Sequence, residues 1–291
     1  MKKILIIILI AFSSLTLAEV NVVTTTTIIY DLVKNIGKDQ VNVDYLCRGN
    51  QDPHFLEVMP SYMLKLRKAD LVFKIGLDLE KWLPQLIDGS RNSDLKEIDL
   101  SKDIEKLEVP TKRLDASYGD IHPYGNPHYY LAPNQVKIML KEILDALISV
   151  DPGHTDYFTR NYNDYLTQLN EKIKLWGDKM KKIENKPIVF FHASWIYFST
   201  EYNLDIKGYV EPKPGIPPSP SHNAETIMLV KKLGVKLIVM ENYYDDSAPN
   251  QIAEITGAKV LKVPVGVFGL EGINSYFDMM DYIVDNISKN I

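Results

Sequence analysis

One apolar stripe runs through the middle of the chain, from position 154 to about 183. Phe158, Tyr162, Tyr165, Leu166, Leu169, Ile173, Trp176 and Met180 recur at steps of three and four residues, the spacing of a single helix face. At 1.5 Å per residue such a helix spans roughly 45 Å. That is long enough to cross from one folded unit to another, so the stripe points to a two-lobed design. Gly177 permits a division into two kinked helices, but nothing in the stripe forces it.

Both flanks of the stripe alternate between strand-like and helix-like segments. Before it, strands are expected over 20–27, 41–46 and 71–75, with helices over 29–36, 60–69, 79–87 and 133–150. After it, strands are expected over 186–191, 204–209, 236–240 and 259–263. The matching helices fall over 195–201, 224–233, 248–256 and 274–287, and a proline-rich loop covers 211–222. Alternation of this kind predicts mainly parallel sheets covered by helices. The expected architecture is therefore α/β, with an N-terminal lobe over 19–150, a linking helix over 151–184 and a C-terminal lobe over 185–291.

The first 18 residues carry Met1-Lys2-Lys3, an uncharged apolar run from Ile4 to Phe12, and Thr16-Leu17-Ala18 before Glu19. A positive start, a short apolar core and small residues at the end form the pattern of a cleavable signal peptide. The run is shorter than the ~20 residues a spanning helix needs. No cysteine follows it to accept a lipid. The protein is expected to be exported, to the periplasm or an equivalent compartment.

The net charge of −5 comes from interspersed signs, which argues against nucleic acid as a partner. Cys47 is the only cysteine, so an internal disulfide is impossible. It reads as a small buried apolar group more readily than as a ligand.

The chemistry lies in three histidines far apart in sequence. His54 stands in Asp52-Pro53-His54, His128 in Asn126-Pro127-His128, and His192 just after the apolar strand at 186–191. Proline fixes its own φ and extends the residue before it, so the Asx-Pro-His frame holds a side chain in place. Ligands in open α/β sheets gather at the carboxyl ends of strands. Three imidazoles brought together there, between the lobes, suit a zinc ion.

Glu241 follows the strand at 236–240 and is the candidate for a fourth position. It could bind the metal directly or accept the second ring N–H of a ligand histidine. Glu57 could do the latter, and His122 could serve as an auxiliary ligand. His222 reads as an N-cap or loop residue and His154 as a helix-start residue. The chain lacks a His-Glu-x-x-His helix, a P-loop and a Gly-x-Ser-x-Gly elbow.

These residues carry a family likeness. Asp52-Pro53-His54-Phe55-Leu56-Glu57, Gly125-Asn126-Pro127-His128-Tyr129-Tyr130-Leu131 and Phe191-His192-Ala193-Ser194-Trp195 resemble, in order, the ligand motifs of the TroA/ZnuA-like zinc and manganese solute-binding proteins of ABC importers. Glu211-Pro212-Lys213-Pro214-Gly215-Ile216-Pro217-Pro218-Ser219 is similar to a loop of one branch of that family. The resemblance implies two α/β lobes bridged by a rigid helix, one metal in the cleft and delivery to a membrane permease. It implies His54, His128 and His192 as ligands. Manganese-selecting members often carry a carboxylate at the third position, so His192 favours zinc, with manganese as the alternative.

Two departures stand out. Many members supply a carboxylate after the last strand, where this chain has Val263-Pro264-Val265-Gly266-Val267-Phe268; the fourth position then falls to water, Glu241 or another loop residue. Many zinc members also carry a long His/Asp-rich loop before the second motif, where this chain offers only His122. The expected protein is a monomeric carrier and not an enzyme. The rival readings are the same fold carrying manganese, iron or a chelated metal, and an exported zinc hydrolase with Glu241 as its base.

Overall fold

The computed structural model describes residues 19–111 and 122–291. The signal-peptide segment 1–18 therefore lies outside the described residues. In the first lobe, strands β1 (Val20–Thr24), β2 (Val41–Tyr45), β3 (Leu71–Lys74) and β4 (Lys96–Asp99) form one sheet in the order β2-β1-β3-β4. In the second, β5 (Pro187–Phe190), β6 (Asp205–Tyr209), β7 (Leu237–Glu241) and β8 (Lys259–Val263) form another in the order β6-β5-β7-β8. All pairings are parallel. The two lobes thus repeat one topology that no repeat in the sequence announces.

The helices are α1 (Thr27–Gly37), α2 (Pro60–Arg67), α3 (Leu83–Ser90), α4 (Pro133–Val150), α5 (Thr155–Met180), α6 (Ile196–Glu201), α7 (Pro220–Leu233), α8 (Ser247–Thr256) and α9 (Tyr276–Asn290). The apolar stripe over 154–183 is α5, one continuous α-helix that ends in a 3-10 turn over Lys181–Ile183. Its buried residues include Phe158, Tyr165, Leu169, Trp176 and Met180. Near its start, Asn161 donates to the Ile36 carbonyl at the end of α1 (2.9 Å). Farther along, Trp176 donates to Asp281 on α9 (2.8 Å), and Lys172 pairs with the same carboxylate (2.5 Å). The helix therefore spans from the first lobe to the second. One apolar core runs through both, from Ile28 and Leu32 to Phe190, Trp195 and Tyr276. None of the described helices is long and apolar enough to cross a membrane.

Three local expectations change. The helix expected over 79–87 begins only at Leu83. Gly76, Leu77 and Asp78 all take positive φ, and Glu80 folds back to accept from the Ile75 and Gly76 amides (2.7 and 3.0 Å). The proline-rich segment does not run to His222 as a loop. Ser219 caps α7 by accepting from the His222 amide (3.2 Å), and Pro220 opens the helix, where it loses no hydrogen bond. His222 is accordingly inside the first turn, with Nε2 against the Tyr209 carbonyl (3.1 Å), and is not the N-cap. Strand β4 falls on a segment with no expected element. It is a short edge strand with half-exposed residues, so neither length nor alternation marked it.

Candidate metal centre

In a doubly wound sheet the gap between the two strands where the order reverses is the natural place for a ligand. In the second lobe those strands are β5 and β7. His192 lies just past the end of β5, and Glu241 is the last residue of β7. The first lobe contributes His54 from the loop after β2. His128 opens a short 3-10 turn, His128–Leu131, directly before α4.

The three histidines meet. Their ligand atoms can all lie within 4.8 Å of one another. The ring centroids form a nearly equilateral triangle, with 5.2 Å from His54 to His128, 5.4 Å from His54 to His192 and 5.5 Å from His128 to His192. All three side chains are buried. Imidazoles do not cluster in this way for packing alone, because each carries two polar nitrogens that burial leaves in need of partners.

The outer nitrogen of each ring is held in place. Asp52 Oδ1 receives both the backbone N–H (2.9 Å) and Nδ1 (2.6 Å) of His54. Asn126 Oδ1 does the same for His128, at 3.0 and 2.9 Å. Glu211 Oε2 meets His192 Nδ1 at 2.5 Å. Carboxylate and amide oxygens only accept, so all three rings carry their proton on Nδ1. That makes Nε2 the nitrogen each ring offers to a metal. His128 Nε2 is buried and has no hydrogen-bond partner among the described residues. Burial, and then the neighbouring histidines, hold His128 well below the ordinary histidine pKa, so it is neutral and ready to coordinate. Burial also pulls down on His192, but Glu211, Glu241 and Asp52 outweigh it and raise the ring's pKa.

Glu241 is fully buried and stands outside the three-histidine group. Its Oε1 accepts from the Ser194 hydroxyl and the Trp195 indole N–H (2.9 Å for the latter), while Oε2 has no hydrogen-bond partner among the described residues. The outer partner of His192 is Glu211 and not Glu241. Glu57 is exposed, and Asp52 takes the place beside His54. Cys47 is a buried free thiol whose pKa burial pushes up to about 12.

The partners of the histidines also join the lobes. Asp52 Oδ2 accepts from Tyr244 in the second lobe (3.1 Å), and Asn126 donates to the Ala193 carbonyl (2.7 Å). Close by, Gly49 packs directly on the loop after β8. A Cβ at Gly49 would sit 1.9 Å from the Val267 carbonyl oxygen.

Known proteins resemble this chain over nearly all its length. The manganese-binding lipoprotein MntA of Halalkalibacterium halodurans is 27% identical over 275 residues, covering 93% of this chain and 88% of that protein. The high-affinity zinc uptake system protein ZnuA of Bacillus subtilis is 24% identical over 284 residues, covering 94% and 88%. Among solved structures, a ZnuA superposes with a TM-score of 0.82 at 23% identity, covering 94% of this chain and 99% of that one. A manganese-bound periplasmic metal-binding protein from Candidatus Liberibacter asiaticus gives 0.79 at 22%, covering 93% and 99%. These two structural likenesses speak for the fold. The family described as zinc-uptake complex component A, periplasmic (ZnuA), matches residues 22–290, and the chain belongs to that family.

Proposed function

We propose that this protein is the exported metal-binding component of an ABC importer, that it captures a divalent ion between its lobes, and that it hands the ion to a membrane permease. One observation carries the reading: three buried imidazoles converge, each with Nδ1 engaged from behind. The relatives' names, which include both zinc and manganese uptake proteins, support the carrier role and leave the metal to the donor set. Zinc is the assigned cargo, because imidazole suits zinc whereas manganese prefers oxygen donors. His54, His128 and His192 bind the ion. Glu241 offsets its charge from the wall of the site. The leading segment 1–18 directs export, and the protein works as a monomer.

A hydrolase would need a base poised beside an open metal position. Glu241, the candidate base, stands outside the three-histidine group, which disfavours that role; its Oε1 is committed to Ser194 and Trp195 and only Oε2 has no partner among the described residues.

The test is thermal unfolding of the metal-free protein with and without zinc at neutral pH. A ligand that binds only the folded state at about 100 times its Kd adds about 2.7 kcal/mol. A clear rise in Tm with zinc is expected. An unchanged Tm would contradict the proposal.

A further inference from the structure

We propose that His122 is a fourth nitrogen ligand, which makes the site an all-histidine one. The inference rests on the reading of His54, His128 and His192 as the metal site. His122 lies just before the Asn126-Pro127-His128 turn and is buried, at 9% exposure. Its Nε2 lies 3.2 Å from His54 Nε2, the nitrogen that the Asp52 contact leaves for a metal. Its ring centroid is 5.2 Å from that of His54 and 6.2 Å from that of His128.

The nitrogen–nitrogen distance is the informative quantity. Two nitrogens bound to one tetrahedral zinc at about 2.0–2.1 Å stand about 3.3 Å apart. The observed 3.2 Å is therefore the length of one edge of such a site. Without metal, one Nε2 must carry a proton and donate to the other. With metal, both lone pairs turn to the ion, and the His122 proton shifts from Nε2 to Nδ1 through solvent, so that the ring stays neutral.

The other local donors fit the fourth position less well. Glu241, like His122, stands outside the three-histidine group, but its Oε1 is engaged by two donors and its Oε2 has no hydrogen-bond partner among the described residues, whereas His122 Nε2 already meets His54 Nε2. The loop at 264–268, which meets the first lobe at Gly49, consists of proline, valine, glycine and phenylalanine and carries no ligating side chain.

A fourth imidazole has a consequence for selectivity. Four neutral nitrogens and no carboxylate form a set that zinc accepts and manganese does not favour. His122 then widens the gap between the two metals.

The direct test is X-ray absorption fine structure of the zinc-loaded protein, which counts imidazoles around the metal. Four are expected in the wild type. Three, with an oxygen, are expected in His122→Ala. Zinc affinity in that variant is expected to fall by at least the roughly 10–100-fold typical for loss of an outer-shell partner and manganese affinity to change far less, while Glu241→Gln keeps four imidazoles. Added imidazole should refill the gap in His122→Ala. Three imidazoles in the wild type would overturn this inference and leave the three-histidine site standing. Failure of the wild type to bind zinc would overturn the site itself and this inference with it. The wild-type count decides the matter even if His122→Ala does not fold.

Discussion

Asn126 holds His128 from behind with its amide oxygen and, through its amide nitrogen, donates to the Ala193 carbonyl across the cleft at 2.7 Å. One side chain thus orients a histidine of the first lobe and ties it to the residue next to His192 in the second. The placement of the three-histidine cluster and the contact between the lobes share this side chain.

Asn126→Ala should therefore weaken zinc binding by roughly 10–100-fold, the range typical for loss of a group that orients a ligand. Asn126→Asp keeps an acceptor for His128. It loses the donor and places a carboxylate against the Ala193 carbonyl and Glu108, so it should destabilise the metal-free protein as well. Calorimetric titration and denaturant unfolding of both variants separate the two effects. Wild-type zinc affinity in Asn126→Ala would show that the bond behind His128 is idle.

Gly49→Ala tests the closed contact without touching any histidine. Its new methyl would meet the Val267 oxygen at 1.9 Å and the Gly269 nitrogen at 2.7 Å, both backbone atoms that cannot rotate away. Overpacking of this kind costs about 1–3 kcal/mol. Lower stability in denaturant and weaker zinc binding are both expected. Unchanged values would mean that the lobes part there freely.

Asp31 sets a pH dependence. It sits on α1, accepts from the Tyr276 amide at the start of α9 (3.0 Å), and burial raises its pKa from 3.8 to about 6. The folded state holds this proton more tightly than the unfolded chain does. The stabilisation is fully present below about pH 3.8 and is lost as pH rises through 6. That interval corresponds to about 3 kcal/mol. Asp31→Asn should flatten the pH dependence of metal-free stability between pH 4 and 6, and an unaltered profile would contradict this.

The Cys47 thiol, with its pKa pushed up to about 12 by burial, should resist alkylation in the native protein at pH 8 and react promptly in denaturant. Mass spectrometry after timed labelling reads this directly. Fast labelling of the native protein would show that the thiol is accessible.

Much of the fold could be read from periodicity. Helix α5 followed from its stripe, and the two parallel sheets followed from the strand–helix alternation. The three histidines were legible because two share an Asx-Pro-His frame and the third follows a strand, and the structure brings all three together. Their supporting groups were less visible. The double role of Asp52 and Asn126 is hinted at by that repeated frame, but the bonds to Tyr244 and Ala193 join parts of the chain far apart in sequence. Glu211 stands 19 residues from His192 in an aperiodic proline-rich stretch, so no spacing rule pairs them. The late start of α3 follows from a local turn in which Glu80 folds back onto the Ile75 and Gly76 amides and also accepts from Thr25, and helix periodicity does not encode such a turn.

The central claim is a zinc site built from His54, His128 and His192. Its most direct test is calorimetric titration of the metal-free protein with zinc and with manganese, beside His54→Ala, His128→Ala and His192→Ala. The account predicts one site that binds zinc more tightly than manganese and that each substitution weakens. Tighter binding of manganese would contradict the assignment of the cargo, and binding indifferent to all three substitutions would contradict the site.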